Sequence, residues 1–401
     1  MHVLLNVESL RPPLTGIGRY TANLLAGLLA RADIERVSAF AGMGPVDARA
    51  TLQAALAGNG AMARKDGEDS GRARFTRLPS GRLRSTIRAI PGAYRLRSGL
   101  AEISLRTKLS RITGAVYHEP NFILRGYRGP SVATIHDLSF VHYPQFHPRE
   151  RVRYMMRSLP ATLARADRIV TDCEFVREEI VALYGVDRAR IHSVPLGADP
   201  SFRPRDHEAL RAPLARFGLE PGRYLLSVAT FEPRKNLVGL VRAFMRLPAS
   251  LRRHWPLALV GAPGWHGGEL TRLLDSAEQE GSVRRIGWVD DATLPLVYAG
   301  AALFAFPSIY EGFGLPLLEA MACGVPVVSS RSSSLPEIVG DTGLSVDAQD
   351  EDALVEALAR GLQDEAWRAQ AGPRVLERAA GFTWAACVDR TIAVYRLAQG
   401  G

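Results

Sequence analysis

Short apolar runs alternate with longer stretches of mixed apolar and polar residues along most of the chain. HVLLNV (2–7), VSAFAG (37–42), AVYHEP (115–120), SVATIHD (131–137), RIVTD (168–172) and IHSVPLG (191–197) have the length and bulk of strands buried on both faces. Between them, residues 19–31, 149–166 and 174–184 carry apolar positions at helical spacing. A second series starts at YLLSVAT (224–230). It continues through PLALVG (256–261), VRRIGWV (283–289), ALFAFPS (302–308) and VPVVSS (325–330). Its helices are expected from Leu237, from Glu269, over 292–300, along DALVEALARGL and over 382–399. Proline-rich GADPSFRPRD (197–206) reads as a hinge between the series, and polar, glycine-rich GNGAMARKDGEDSGR (58–72) as a surface loop or disordered segment. The pattern predicts an α/β protein of two doubly wound domains, 1–197 and 198–381, facing across a cleft. Residues 382–401 are then a closing helix, expected to pack back towards the first domain.

Length supports this division, since 401 residues exceed one ordinary core. Three scattered cysteines, Cys173, Cys323 and Cys387, suit buried thiols in a reducing compartment better than disulfides or zinc. MHVLLNVESL runs straight into a strand without a signal-peptide pattern, and no apolar stretch has the length to span a bilayer. A cytoplasmic protein is expected. Charge is uneven: the net charge is +9, yet residues 72–111 hold eleven Lys/Arg against Glu102 alone, or +10, leaving −1 elsewhere. Ile87, Ile90, Tyr94 and Leu96 interleave with the arginines, so part of the stretch can form a basic amphipathic helix on an anionic membrane surface. A solvated face or substrate funnel is the alternative, as is nucleic acid, which no other motif supports.

The candidate chemistry gathers at strand ends. In YEGFGLPLLEAMACGVPVV (310–328), Gly312 and Gly314 allow close approach of a ligand to the backbone. Pro316 suits the first turn of a helix stopping at Gly324. Glu311 then lies at a strand's C-terminal end and Glu319 one turn into the helix, where open α/β sheets bind ligands. FEPRKN (231–236) places Arg234 and Lys235 after the first strand of the second series, where a guanidinium fork and an ammonium can neutralise a diphosphate. TGIGRY (15–20) could bring the Gly16 and Gly18 N–H groups to a phosphate, or be a plain turn. It fails as a dinucleotide fingerprint, because Thr21 stands where glycine or alanine is needed and RPPLT intervenes after the strand. His136 is expected to hydrogen-bond at the cleft. His118, His136, His142 and His147 match no zinc spacing, and Asp350, Glu351 and Asp352 start a helix, so no metal site is expected.

Together EGFGLPLLE, FEPRKN, TGIGRY, TIHD and SSSLPEIVGDTGLSVD (332–347) resemble the retaining glycosyltransferases of family 4, over nearly the whole chain except residues 43–111. The resemblance implies the GT-B fold, two Rossmann-like domains with the nucleotide sugar in the second. It implies that Glu319 binds the donor ribose, and that Glu311 lies by the donor sugar. Backbone amides of Phe313, Gly314 and Leu315 would reach sugar and phosphates. Arg234 and Lys235 match the diphosphate cations, and His136 a histidine at the donor sugar. One departure is that many members carry arginine just after the glycine ending the first strand of the second domain, where this chain has Ala229 and Thr230; Arg234 is expected to supply that charge. LALVGAPGWHGGEL (257–270) with RIGWVDDATLPLVYAGA is similar to bacterial polysaccharide mannosyl- and rhamnosyltransferases. A GDP-sugar donor, no metal or other cofactor, and a glycan acceptor on a lipid carrier at the inner membrane face are the expectations, as in O-antigen or lipopolysaccharide synthesis. UDP- or dTDP-sugars and a non-catalytic nucleotide-sugar-binding protein are the alternatives. A nicotinamide oxidoreductase lacks its glycine fingerprint.

Overall fold

A computed structural model describes residues 1–42, 44–67, 109, 112–262, 264 and 268–400, the side chains of 59–67 excepted. The basic stretch 72–111 therefore lies outside the described residues apart from Leu109. Two sheets carry the structure. The first contains β1 (His2–Asn6), β2 (Arg36–Ala41), β3 (Gly44–Val46), β4 (Ala115–Glu119), β5 (Ser131–Ile135), β6 (Arg168–Thr171) and β7 (Ile191–Ser193), in the order β3-β2-β1-β4-β5-β6-β7. The second contains β8 (Leu225–Val228), β9 (Leu257–Val260), β10 (Val283–Gly287), β11 (Leu303–Phe306), β12 (Val327–Ser330) and β13 (Leu344–Val346), ordered β10-β9-β8-β11-β12-β13. The recorded pairings are parallel except β2 with the short edge strand β3. In each sheet the order reverses once, at β1/β4 and at β8/β11. Such a reversal opens a crevice beyond the strand C-termini.

Burial explains the apolar runs. Val3, Leu4 and Leu5 in β1, and Leu303, Phe304 and Ala305 in β11, are covered on both faces, as parallel strands between helices require. The second sheet packs Leu225, Leu257, Leu259 and Val328 against Leu240, Val241 and Phe244 of the helix Leu237–Met245 and Leu354 and Leu358 of Glu351–Gln363.

By contacts the chain divides into two compact units. The first comprises Met1–Thr134, Ala161–Val170 and Ile392–Gly401; the second comprises Ile135–Pro160 and Thr171–Thr391. The proline-rich segment 197–206 falls inside the second unit. The last helix, Trp384–Gln399, ends in the first, where Tyr395 O–H and His118 Nδ1 lie 2.6 Å apart. The expected loop at 58–72 is corrected: residues 58–67 continue a helix that begins at Ala48. Among the described residues no helix is long and apolar enough to cross a membrane.

Candidate functional site

The helix Leu315–Ala322 begins with Gly314 at φ +112°, where a side chain would be strained, and Gly324 (φ +73°) follows its end. Pro316 occupies its first turn. The loop ahead of it is held by the SSSLP segment: Glu311 N–H donates to Ser333 Oγ at 2.8 Å, and Ser334 Oγ bonds the carbonyls of Glu311 (3.0 Å) and Phe313 (2.7 Å). These bonds turn Glu311 towards the end of β8. There a single 3-10 turn, Pro233–Lys235, delivers both cations. Lys235 Nζ lies 2.6 Å from Glu311 Oε1, and Arg234 Nη1 3.0 Å from Oε2. Arg234 also donates to the Tyr310 carbonyl at 3.0 Å and to Glu232 at 3.2 Å. The sequence thus places Glu311, Arg234 and Lys235 in one cluster, all well buried.

The cluster's charges hold one another. Burial alone would raise the Glu311 carboxyl, but Lys235 and Arg234 together take it below its ordinary value. Lys235 is depressed, first by burial and then by Arg234, against the pull of Glu311. Arg234 is raised, because Glu311, Asp137 and Glu232 outweigh its own burial. Glu319 sits on the same helix as expected and is buried.

His136 follows the end of β5 and lies 2.7 Å, through Nδ1, from Oδ2 of Asp172, which follows the end of the neighbouring β6. The carboxylate fixes the ring and its tautomer. Burial raises the Asp172 carboxyl, against the pull of His136. His136 is brought to the glycine loop through backbone: a Cβ on Gly312 would lie 2.0 Å from the His136 carbonyl oxygen. The Cys173 thiol donates to the Gly312 carbonyl at 3.0 Å. Glycine at 312 is therefore required by the neighbouring chain.

Gly16 and Gly18 lie in the first unit, in the first turn of the helix Gly16–Ala30. Gly18 N–H donates to the N-cap Thr15 at 3.3 Å, and a Cβ there would meet Ser9 O at 3.0 Å. That unit holds a further polar cluster at the β1/β4 reversal. Glu119 accepts from Asn6 Nδ2 at 2.8 Å and from Tyr117 O–H at 2.6 Å, and burial pushes its carboxyl up to about 7. Sequence reasoning missed Asp172, Glu119 and Glu179; their positions just beyond or within strand ends were the signal available for the first two. Among the described residues no three His, Cys, Asp or Glu side chains gather as metal ligands do.

Residues 14–202 match the family described as Glycosyltransferase Family 4, and residues 215–377 that described as Glycosyl transferases group 1. The chain is 38% identical over 400 residues to O-antigen chain mannosyltransferase B of Escherichia coli, covering 99% of this chain and all of that one. Among solved structures, sucrose-phosphate synthase of Thermosynechococcus elongatus matches with a TM-score of 0.65 at 22% identity, over 99% of this chain and 98% of the other. Anabaena HepE in complex with UDP and glucose matches with a TM-score of 0.69 at 16% identity, over 98% of each chain. These two likenesses speak to the fold alone.

Proposed function

Because the chain belongs to the glycosyltransferases of family 4 and has their GT-B fold of two Rossmann-like domains, we propose that it transfers mannose from GDP-mannose, with retention at the anomeric carbon, to a growing cell-surface polysaccharide. The acceptor chain is carried on a membrane lipid. The observation that carries the reading is the buried junction of Lys235 and Arg234 on Glu311 at the mouth of a glycine loop and helix. Full-length similarity to an O-antigen mannosyltransferase supports the sugar and the acceptor. A rhamnose-type deoxyhexose from a GDP-sugar and donors on UDP or dTDP remain the competing donors.

Cleaving the bond between the anomeric carbon and the diphosphate oxygen sends an electron pair to that oxygen and leaves positive charge on the sugar. Arg234 and Lys235 offset the growing negative charge, as do the backbone N–H groups of Phe313, Gly314 and Leu315 at the helix start. Fixed cations supply what a divalent ion otherwise would, so the reaction proceeds without added metal. Glu319 accepts hydrogen bonds from the ribose hydroxyls. Glu311 and His136 contact the donor sugar, Asp172 holding the His136 ring. The acceptor hydroxyl attacks from the face the diphosphate leaves, passing its proton to the departing phosphate oxygen. Within the first unit, Gly16 and Gly18 open a helix whose N–H groups can approach a phosphate, and Gly16 is the better placed because the Gly18 N–H is spent on Thr15. The basic stretch 72–111 holds the enzyme to the anionic inner membrane face, where the lipid-borne acceptor lies.

Calorimetry with GDP, UDP and dTDP, followed by transfer assays with the matching sugars and NMR of the new linkage, tests this reading. GDP binding in preference to UDP and dTDP, and an α-mannoside formed from GDP-α-mannose, are expected. UDP or dTDP binding alone overturns the donor, and a β-linked product overturns retention.

A further inference from the structure

The residues after His136 and those before Glu311 are joined by a single hydroxyl. Tyr310 is buried, and its O–H donates to Glu179 Oε2 at 2.5 Å while its oxygen accepts the Leu138 backbone N–H at 3.1 Å. One phenolic proton and one lone pair are thus both spent. Leu138 is two residues beyond His136, and Tyr310 is the immediate neighbour of Glu311. The other oxygen of Glu179, on the helix Glu174–Tyr184, lies 2.6 Å from His142 Nε2 on the short helix Ser139–His142. Around the hydroxyl, the Tyr310 ring packs against His142 and Tyr143 at 5.8 Å and Phe175 at 6.0 Å. Each of these contacts lies within the second compact unit.

The geometry points to Tyr310 and Glu179 as positioning residues: they clamp the His136 strand end to the Glu311 loop and so fix the two side chains that the proposed mechanism sets at the donor sugar. Nothing in the transfer chemistry calls on either group directly. Glu179 is a partly buried carboxylate that faces Tyr310 and His142 and touches neither Lys235 nor Arg234 at ion-pair distance. The Gly312 backbone already abuts the His136 carbonyl, which sets the separation of the segments. It leaves them free to slide, and the Tyr310 hydroxyl, bonded to both a backbone N–H and a carboxylate on a third element, removes that freedom. A displacement of about 1 Å in such a site lowers turnover by roughly a hundredfold.

The inference rests on the transferase reading for its catalytic consequence, so two readouts are needed. Amide exchange by mass spectrometry follows peptides spanning 136–143 and 308–314 in wild type, Tyr310→Phe, Glu179→Gln and Glu179→Ala. Donor-saturated kcat and donor KM are measured on the same proteins. Tyr310→Phe should speed exchange at 136–143 at least tenfold, with other peptides unchanged. It should lower kcat about tenfold or more while KM stays within about threefold. Glu179→Gln, which still accepts from Tyr310, should recover most of the loss seen in Glu179→Ala. Unchanged exchange at 136–143 in Tyr310→Phe overturns the clamp, whether or not the protein transfers sugar. So does a Tyr310→Phe enzyme with wild-type kcat. A wild-type protein without transfer activity overturns the transferase reading, and the exchange data then decide the clamp alone.

Discussion

Replacing Lys235 by methionine keeps most of the buried stem and deletes only the ammonium, which lies 5.5 Å from the centre of the Phe306 ring and 2.6 Å from Glu311. The proposed reaction loses one of two fixed cations facing the departing diphosphate. A preorganised charge of this kind contributes about 3–4 kcal/mol to the transition state, so kcat should fall by about 10²–10³. Folding should suffer less. Glu311 keeps Arg234 at 3.0 Å, and removing the ammonium also removes the Lys235–Arg234 repulsion which, after burial, holds the lysine below its ordinary value. The charged hydrogen bond lost is worth about 1.5–3 kcal/mol, and relief of that repulsion returns part of it. A net cost of about 1–2 kcal/mol corresponds to a melting midpoint only a few degrees lower. Initial rates of sugar transfer, nucleoside-diphosphate calorimetry and a thermal melt on the same preparation separate these effects. Turnover within about threefold of wild type in a folded Lys235→Met protein would refute the assignment, and a melt collapsed by more than about 10 °C would show the lysine to be chiefly structural.

Glu319→Ala should weaken nucleotide affinity about ten- to a hundredfold by calorimetry, through loss of charged hydrogen bonds to ribose. Gly312→Ala forces a Cβ to within 2.0 Å of the His136 carbonyl oxygen, so backbone must move; activity should drop at least a hundredfold and urea unfolding should report about 1–3 kcal/mol lost. Glu119 holds its proton in the fold up to about 7 against 4.5 ordinarily, so the folded state binds the extra proton between those values and stability falls as pH rises through that window, by roughly 3 kcal/mol in all; Glu119→Gln should flatten urea-unfolding stability between pH 4.5 and 7. Transfer should be unchanged by a chelator such as EDTA, and a loss that a divalent ion restores would count against the cationic assistance assigned to Arg234 and Lys235.

Strands were the easiest elements to see in the sequence, because each parallel strand is buried on both faces and so appears as an unbroken apolar run such as LALV or LFAF. Helices were legible where one face is apolar, as in Leu237–Met245. The helices His207–Ala215 and Glu365–Ala379, which hold the internal prolines Pro213 and Pro373, were not, although Pro160 did not hide the longer helix Arg149–Arg165. Residues 58–67 misled for a different reason. Their glycines and charges suit a loop, yet they extend a helix already started at Ala48, and propagation is cheaper than nucleation. In the site, Glu311 and Lys235 were each expected at a strand's C-terminal end, but not as a pair; the pairing follows from the adjacency of their strands at the β8/β11 reversal. The strand-end position of Asp172 was visible, but not its pairing with His136, 36 residues away; Glu179 gave no signal, its partner Tyr310 lying 131 residues away, a separation no local periodicity encodes.

The same cluster explains why a cationic site can be buried without a ligand charge to balance it. Arg234 and Lys235 face Glu311 and Glu232, so the four formal charges sum to zero, and no ion is stranded. In the proposed reaction a diphosphate takes over the cations and Glu311 turns its acceptors to the sugar hydroxyls. Ground-state affinity is then a difference between two similar sets of ion pairs and is modest. As the sugar–oxygen bond lengthens, charge accumulates on the diphosphate but not on Glu311, so the exchange becomes more favourable only along the reaction coordinate. The carboxylate thereby converts tight cation binding into selective stabilisation of the departing group, which raises kcat rather than merely lowering KM. Glu311→Gln, stripped of that competition, should bind nucleoside diphosphate more tightly than wild type and turn over more slowly. Weaker binding in that variant would show that Glu311 positions the cations rather than competing for them.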